Sequence, residues 1–201
     1  MYTDSHCHLN FPELQANLGD IRQAMQEAQV TRALLISTQM ETFPDVNAMA
    51  LAHDNFWCTA GVHPDEDDVQ EPTLDDLLAM GRHPKVVGIG ETGLDYYRLG
   101  ERTVADMEWQ RERFRRHIRC AQSLRLPLVI HTRSASADTL AILKEEGEDG
   151  GAKAVGGVFH CFTETAEVAK AVLDWQAAQN LQSMCEDSWR WQSQNPKGFA
   201  D

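Results

Sequence analysis

Short apolar runs alternate along this chain with longer stretches in which apolar residues recur every three or four positions. The runs cover Tyr2 to Ser5, Ala33 to Ser37, Trp57 to Gly61, Val86 to Glu91, Leu128 to His131 and Ala154 to His160. Their length and apolar content predict strands. The helical period predicts helices over Leu14 to Gln29, Asp45 to His53, Thr73 to Met80, Thr103 to Ser123, Ala137 to Glu146 and Ala166 to Trp175. Leu14, Leu18, Ile21, Met25 and Ala28 share one face of the first helix. Met107, Phe114, Ile118 and Ala121 share one face of the long fourth helix. Thr73 and Asp76 form a T-x-x-D capping signature at the start of the third. Six strand-then-helix units follow one another in this way. That order is the mark of an α/β fold with a parallel sheet covered on both faces. A closed barrel and an open doubly wound sheet both satisfy the alternation.

The polar residues that end these strands add information. The first strand runs into Asp4-Ser5-His6-Cys7-His8, the third into Gly61-Val62-His63-Pro64 and the fourth into Glu91. The fifth ends at His131, followed by Thr132-Arg133, and the sixth at His160. In a parallel barrel the carboxyl ends of the strands converge on one mouth, where active sites sit. His6 and His8 are two apart, so both imidazoles leave an extended chain on one side. Imidazole with carboxylate suits Zn²⁺, Mn²⁺ or Fe, whereas Mg²⁺ prefers oxygen ligands. Taken alone, any of these histidines reads as a hydrogen-bonded loop residue, and the set together reads as a metal centre. His53, His83 and His117 lack such placement and are expected at the surface. The arginines at 111, 113, 115, 116 and 119 alternate with Glu108 and Glu112, the pattern of a solvated outer helix face with Glu112 and Arg116 paired at i,i+4.

Composition narrows the setting. The chain has 201 residues, 42% hydrophobic and 24% charged, the balance of a single globular domain. Its formal charge of −13 argues against binding duplex nucleic acid by bulk attraction. Bound divalent cations would reverse the sign locally. Five cysteines, odd in number and never in a C-x-x-C pair, point to a reducing compartment without a disulfide framework. No run reaches the roughly 20 apolar residues of a membrane span, and the first residues do not read as a signal peptide. The expected location is cytoplasmic.

The motifs carry a more specific signal as an ordered set. D-x-H-x-H is met by Asp4, His6 and His8, and G-[IV]-H-P by Gly61 to Pro64. [IV]-G-E-x-G-L-D-Y-Y is met from Ile89 through Tyr97, H-x-R by His131 and Arg133, and H-C-F by His160 to Phe162. In these five motifs and their intervals the chain resembles the TatD family of metal-dependent deoxyribonucleases. The resemblance implies a TIM-barrel type of α/β fold with two divalent metal ions (Mg²⁺, Zn²⁺ or Mn²⁺). It implies hydrolysis of DNA, with single strands or 3′ ends as substrate. His6, His8 and Glu91 would hold one metal, and Glu91, His131 and His160 the other. Glu91, His63 and Arg133 are the candidate catalytic residues. Arg133 is placed to clamp a phosphate, and His63 to contact substrate or assist proton transfer. Tyr96, Tyr97 and Phe162 are candidates for stacking bases, while Cys7 and Cys161 are neighbours of ligands and not ligands. A bridging carboxylate can hold two cations roughly 3.5–4 Å apart. Many amide or lactone hydrolases of this fold bridge their metals with a modified lysine where this chain has Glu91, which favours the phosphodiesterase.

The resemblance weakens beyond about residue 175. The family pattern continues with two more βα units, the first ending in a motif like E-T-D-x-P whose Asp completes the first metal shell. Residues 176–201 hold no such motif and no apolar run of strand length. The expectation is therefore an incomplete barrel over residues 1–175, with about six of eight βα units, and a divergent, poorly ordered tail over 176–201. Impaired nuclease activity follows from that expectation, and an inactive paralogue is the non-enzyme reading.

Overall fold

The computed structural model describes residues 1–160. The helix expected over 166–175, Phe162, Cys161, the domain boundary at residue 175 and the tail all lie outside the described residues. Within them the strands are β1 (Tyr2–Cys7), β2 (Val30–Leu35), β3 (Phe56–Ala60), β4 (Val86–Asp95), β5 (Leu128–Arg133) and β6 (Gly157–His160). The helices are α1 (Pro12–Gln15), α2 (Leu18–Glu27), α3 (Phe43–Ala52), α4 (Leu74–Gly81), α5 (Glu108–Leu124) and α6 (Ser136–Glu145). A single 3₁₀ turn, Val104–Met107, precedes α5.

All neighbouring strands pair parallel, and their spatial order is their chain order, β1 to β6. A doubly wound sheet would reverse that order at a switch point. Uninterrupted progression is the TIM-barrel arrangement, so the choice that the sequence pattern left between two architectures falls on the barrel type. No helix of the described residues is long and apolar enough to cross a membrane.

Several boundaries depart from the hydrophobic pattern. The first predicted helix is two helices. Asn17 sits between them and donates its side-chain amide to the Glu13 carbonyl at 2.7 Å, and such local bonds compete with helix continuation. Strand β4 runs four residues past Glu91 to Asp95, and β5 two residues past His131 to Arg133. The residues expected to end these strands therefore lie within them. The long helix begins at Glu108 because Thr103 and Asp106 close a capping box around the 3₁₀ turn instead. Thr73 and Asp76 form the capping box that the sequence predicts before α4.

The core has two parts. Ala33, Leu35, Val46, Ala50, Phe56 and Cys58 pack β2 and β3 against α3. Leu77, Ile89, Leu94, Phe114, Ile118, Leu128 and Ile130 pack β4 and β5 against α4 and α5. Where the chain leaves β3, Gly61 lies against β4. A Cβ at Gly61 would stand 2.5–2.7 Å from backbone atoms of Gly90. Backbone on both sides leaves neither partner room to give, so close approach of the two strands, which sets how near Glu91 comes to the loop after β3, requires glycine here. Gly61→Ala should therefore lower stability by about 2–3 kcal/mol, or roughly 5–10 °C in Tm. Gly19→Ala in α2, where nothing lies within 4 Å of the added methyl, should be neutral or slightly stabilising. Calorimetry of both variants checks this; a Gly61→Ala protein melting with the parent would show that the strands can separate there at little cost.

Candidate metal centre

The six residues expected at the mouth come from four strands and two of the loops that follow strands. His6 lies in β1 and His8 follows it, Glu91 lies within β4, His131 within β5, and His160 ends β6. His63 follows β3. Register aligns His131 with Gly93 of β4 on one side and with His160 of β6 on the other. Parallel partners in register point to the same face, which puts His131 and His160 together.

Glu91 is the centre of the arrangement. Its carboxylate is 2% exposed, and its two oxygens face different partners. Oε2 lies 3.2 Å from His6 Nε2. Oε1 lies 3.2 Å from His131 Nδ1 and 3.6 Å from His63 Nε2. Donor atoms of His6, His8 and Glu91 fall within 4.8 Å of one another, and those of His63, Glu91 and His131 do the same. One carboxylate thus belongs to two groups of possible ligands. His160 stands in neither group; its ring stacks on that of His6, with centroids 3.4 Å apart and planes 9° from parallel. His8, His63, Glu91, His131 and His160 line a cavity of about 300 Å³ together with Phe11, Thr38, Glu66, Thr132 and Arg133.

The hydrogen bonds fix which nitrogen of each ring is free. His8 Nδ1–H donates to the Ile36 carbonyl at 3.2 Å, leaving Nε2 with its lone pair. His131 Nε2–H donates to Asp95 Oδ2 at 2.9 Å, leaving Nδ1 toward Glu91. This is the carboxylate–histidine arrangement that orients metal-ligating imidazoles. His63 is different: its Nδ1 accepts the Asp65 backbone N–H at 3.1 Å. A neutral His63 therefore carries its proton on Nε2, the atom 3.3 Å from His131 Nδ1. His6 Nε2 is buried, near Glu91 but outside hydrogen-bond geometry. Two acceptors converging without a hydrogen bond fit shared ligation of one cation, so the donor set suits a divalent metal.

The charges agree with that fit. Burial disfavours ionised Glu91, but contacts with His131, His6 and His63 outweigh it and hold the carboxyl well below its usual range. Asp95 is likewise held low against its burial, by His131, by Arg133 and by the Tyr97 backbone N–H. His131 lies between these two carboxylates. Burial opposes its protonation, yet Asp95 and Glu91 raise its pKa to about 9. The pocket demands positive charge, and a proton supplies it where a cation does not. Burial, followed by the charge of His6, lowers the pKa of both His8 and His160, leaving them neutral as ligands must be.

Other candidates take less central places. Arg133 lines the cavity but is committed to Asp95, at 2.6 Å from Nη2 and 2.9 Å from Nε. Its guanidinium also lies 4.6 Å from the centre of the Tyr97 ring. Tyr97 is 66% exposed at the mouth, whereas Tyr96 is buried and its hydroxyl donates to Asp138. Cys7 is no ligand: burial, with Asp4 adding to it, pushes its thiol up to about 12, and Sγ–H points at the Leu34 carbonyl.

Two expectations for α5 are overturned. His117, expected at the surface, is fully buried, and burial lowers its pKa to about 4. Arg113, expected on a solvated face, is 1% exposed and ion-paired with Glu71. The remaining arginines of the run do form outward ion pairs, though Arg115 and not Arg116 takes Glu112. Asp95 and Gln110 were not singled out as site residues. For Asp95 the signal is its place in the [IV]-G-E-x-G-L-D pattern, four residues after the central carboxylate.

Comparison with known proteins agrees with the geometry. The family model described as "TatD related DNase" matches residues 3–184. An uncharacterised metal-dependent hydrolase of Bacillus subtilis, YabD, is 37% identical over 171 residues, covering 85% of this chain and 64% of its own length. A 3′–5′ ssDNA/RNA exonuclease TatD of Citrobacter koseri is 36% identical over 172 residues, covering 85% of this chain and 63% of its own length. The crystal structure of the Escherichia coli K12 TatD homologue YJJV superimposes with a TM-score of 0.75 at 25% identity, covering 86% of this chain and 64% of that one. The chain thus spans just under two thirds of the length of these relatives. With four strands and two loops bringing the motif residues together, and a family model matching nearly all of the sequence, the chain belongs to the TatD related DNase family.

Proposed function

We propose that this chain is a metal-dependent hydrolase that cleaves phosphodiester bonds at the ends of single-stranded DNA, with 3′ ends preferred. The observation that carries the reading is Glu91, a buried carboxylate whose two oxygens face two separate groups of imidazoles. By the family resemblance His6, His8 and Glu91 would hold one divalent cation and Glu91, His131 and His160 the second, whether Mg²⁺, Zn²⁺ or Mn²⁺, while the second group of donor atoms that converge in the structure is His63, Glu91 and His131. Such a pair supplies Lewis-acid polarisation of a phosphoryl oxygen and activation of water. The exonuclease name of the Citrobacter koseri relative supports the substrate class. So does a carboxylate at the place where many amide or lactone hydrolases of this fold have a modified lysine. With a net charge of −13, attraction for DNA must be local to the mouth.

The chain's own residues then divide the work. Asp95 holds His131 through Nε2–H and so aims its Nδ1. Arg133, beside Asp95 at the cavity wall, faces a substrate phosphate with a charge that Asp95 positions. His63 lines the cavity with its Nε2 beside His131 and Glu91, from where it would donate a hydrogen bond to a phosphate oxygen or leaving oxygen.

Two measurements follow. Below about pH 9 metal-free His131 holds a proton that a cation must displace. Metal affinity should therefore rise by about tenfold per pH unit between pH 6 and 8, with about one proton released per site bound through His131. Calorimetric titration with Zn²⁺ in buffers of different ionisation enthalpy reads this directly, and an affinity flat across that range would show that His131 is not displaced from its proton by metal. The second concerns His63: release of nucleotides from a single-stranded oligonucleotide should require divalent metal, and His63→Ala should lower kcat by roughly 10²–10⁴-fold while keeping parental metal stoichiometry. Loss of metal in that variant would make His63 a ligand, and hydrolysis confined to amides or lactones would replace the substrate class.

A further inference from the structure

Helix α5 carries three buried polar residues on one face, Gln110, Arg113 and His117, exposed by 1%, 1% and 0%. At positions i, i+3 and i+7 they line up along the helix, in a place where a barrel helix ordinarily presents apolar side chains. All three turn to the loop that carries His63. His117 Nε2 accepts the Val62 N–H at 3.0 Å, and His117 Nδ1–H donates to the Arg113 carbonyl at 2.8 Å. Arg113 Nη1 donates to the His63 carbonyl at 2.8 Å and to the Glu66 carbonyl at 2.7 Å. Gln110 Nε2 donates to the Pro64 carbonyl at 2.9 Å and to the Asp95 carbonyl at 3.2 Å, while its Oε1 accepts the Asp95 N–H at 2.9 Å.

Burying a polar group costs free energy unless it is bonded, and burying an arginine costs more. Apolar side chains would pack the helix without that demand. What this stripe obtains is a fixed path for residues 62–66. Val62 N–H and the carbonyls of His63, Pro64 and Glu66 are each tied to one rigid helix. That path brings the Asp65 N–H to His63 Nδ1, which sets the ring's tautomer. The same helix, through Gln110, fixes the backbone of Asp95, the residue that orients His131.

We propose that Gln110, Arg113 and His117 are positioning residues that set the depth and the tautomer of His63, whose ring lines the cavity with Nε2 turned to His131 and Glu91. The proposal rests on the reading of His63 as a proton-bearing donor. It predicts that the loop's path, not the metal ligands, is what these residues govern.

The test uses the full chain with His117→Phe, which keeps a ring and removes the acceptor, His117→Gln, whose Oε1 reaches the Nε2 position, and Arg113→Lys, which keeps the charge and loses the fork. Folding is followed by circular dichroism and Zn²⁺ binding by calorimetry. His63 ring nitrogens are assigned by ¹⁵N NMR against a His63→Ala control, in metal-free and Zn²⁺-loaded protein. We expect His117→Phe to bind Zn²⁺ with parental stoichiometry, while the His63 signals shift from the Nε2–H form to a mixture of tautomers. On a single-stranded oligonucleotide its kcat should fall by roughly 10²-fold, the scale of a displacement of about 1 Å, with KM changed less than about threefold. His117→Gln should restore the tautomer and most of kcat. Should His117→Phe fail to fold, Arg113→Lys is read in its place with the same expectations. A His63 spectrum unchanged in the folded variant overturns the proposal, as does a loss of Tm with kcat and tautomer intact. If the parent digests no DNA, the nuclease reading fails, yet the NMR readout still decides whether α5 positions His63.

Discussion

A carboxylate with almost no access to water and, among the described residues, no ion pair to a lysine or arginine must find its compensation elsewhere. Glu91 finds it in imidazoles. His6 approaches one oxygen, and His131 and His63 approach the other. These come from β1, β5 and the loop after β3, so the charge is stable only when all three reach the same point as β4. Parallel strands in chain order meet that condition, because each delivers its carboxyl end to one mouth. The tight approach of Gly61 to Gly90 beside Glu91 belongs to the same requirement. Even then the pocket draws in positive charge, which a proton on His131 supplies where no cation does. Asp95 adds a second anion behind His131, which strengthens the demand for a cation at the front.

A second layer of polar groups behaves differently. The loop following β3 turns inward, and a buried loop leaves backbone groups without solvent. Helix α5 answers those groups one by one through Gln110, Arg113 and His117. Satisfying them with side chains on a rigid helix fixes the loop more firmly than water would. The barrel wall and the site are in this sense one structure: the helix that packs Phe114 and Ile118 into the core also sets where His63 stands.

Much of this is legible in the sequence, and the part that is not has a physical reason. Apolar runs place all six strands among residues 1–160 because buried parallel strands need continuous hydrophobicity. The site histidines and Glu91 are legible because strand ends are where side chains of different units meet. Asn17 escapes notice because one side-chain bond to Glu13 interrupts a periodic helix. Glu91 and His131 prove to lie inside longer strands, since Thr92, Gly93 and Thr132 continue the pairing without looking apolar. His117 and Arg113 are misread because periodicity reports only apolar faces. Their neighbours are charged, and their partners lie 55 and 50 residues away in sequence. A buried polar stripe on a helix is indistinguishable from a solvated one until the loop it binds is located.

The account stands on Glu91 as a bridge. The most direct measurement is anomalous diffraction from crystals of the protein soaked in Mn²⁺. The account predicts two peaks roughly 3.5–4 Å apart, one on each side of Glu91, with His6 and His8 beside the first and His131 beside the second. A single peak not touching Glu91, or two peaks of which only one lies within ligand distance of its carboxylate, would contradict the account.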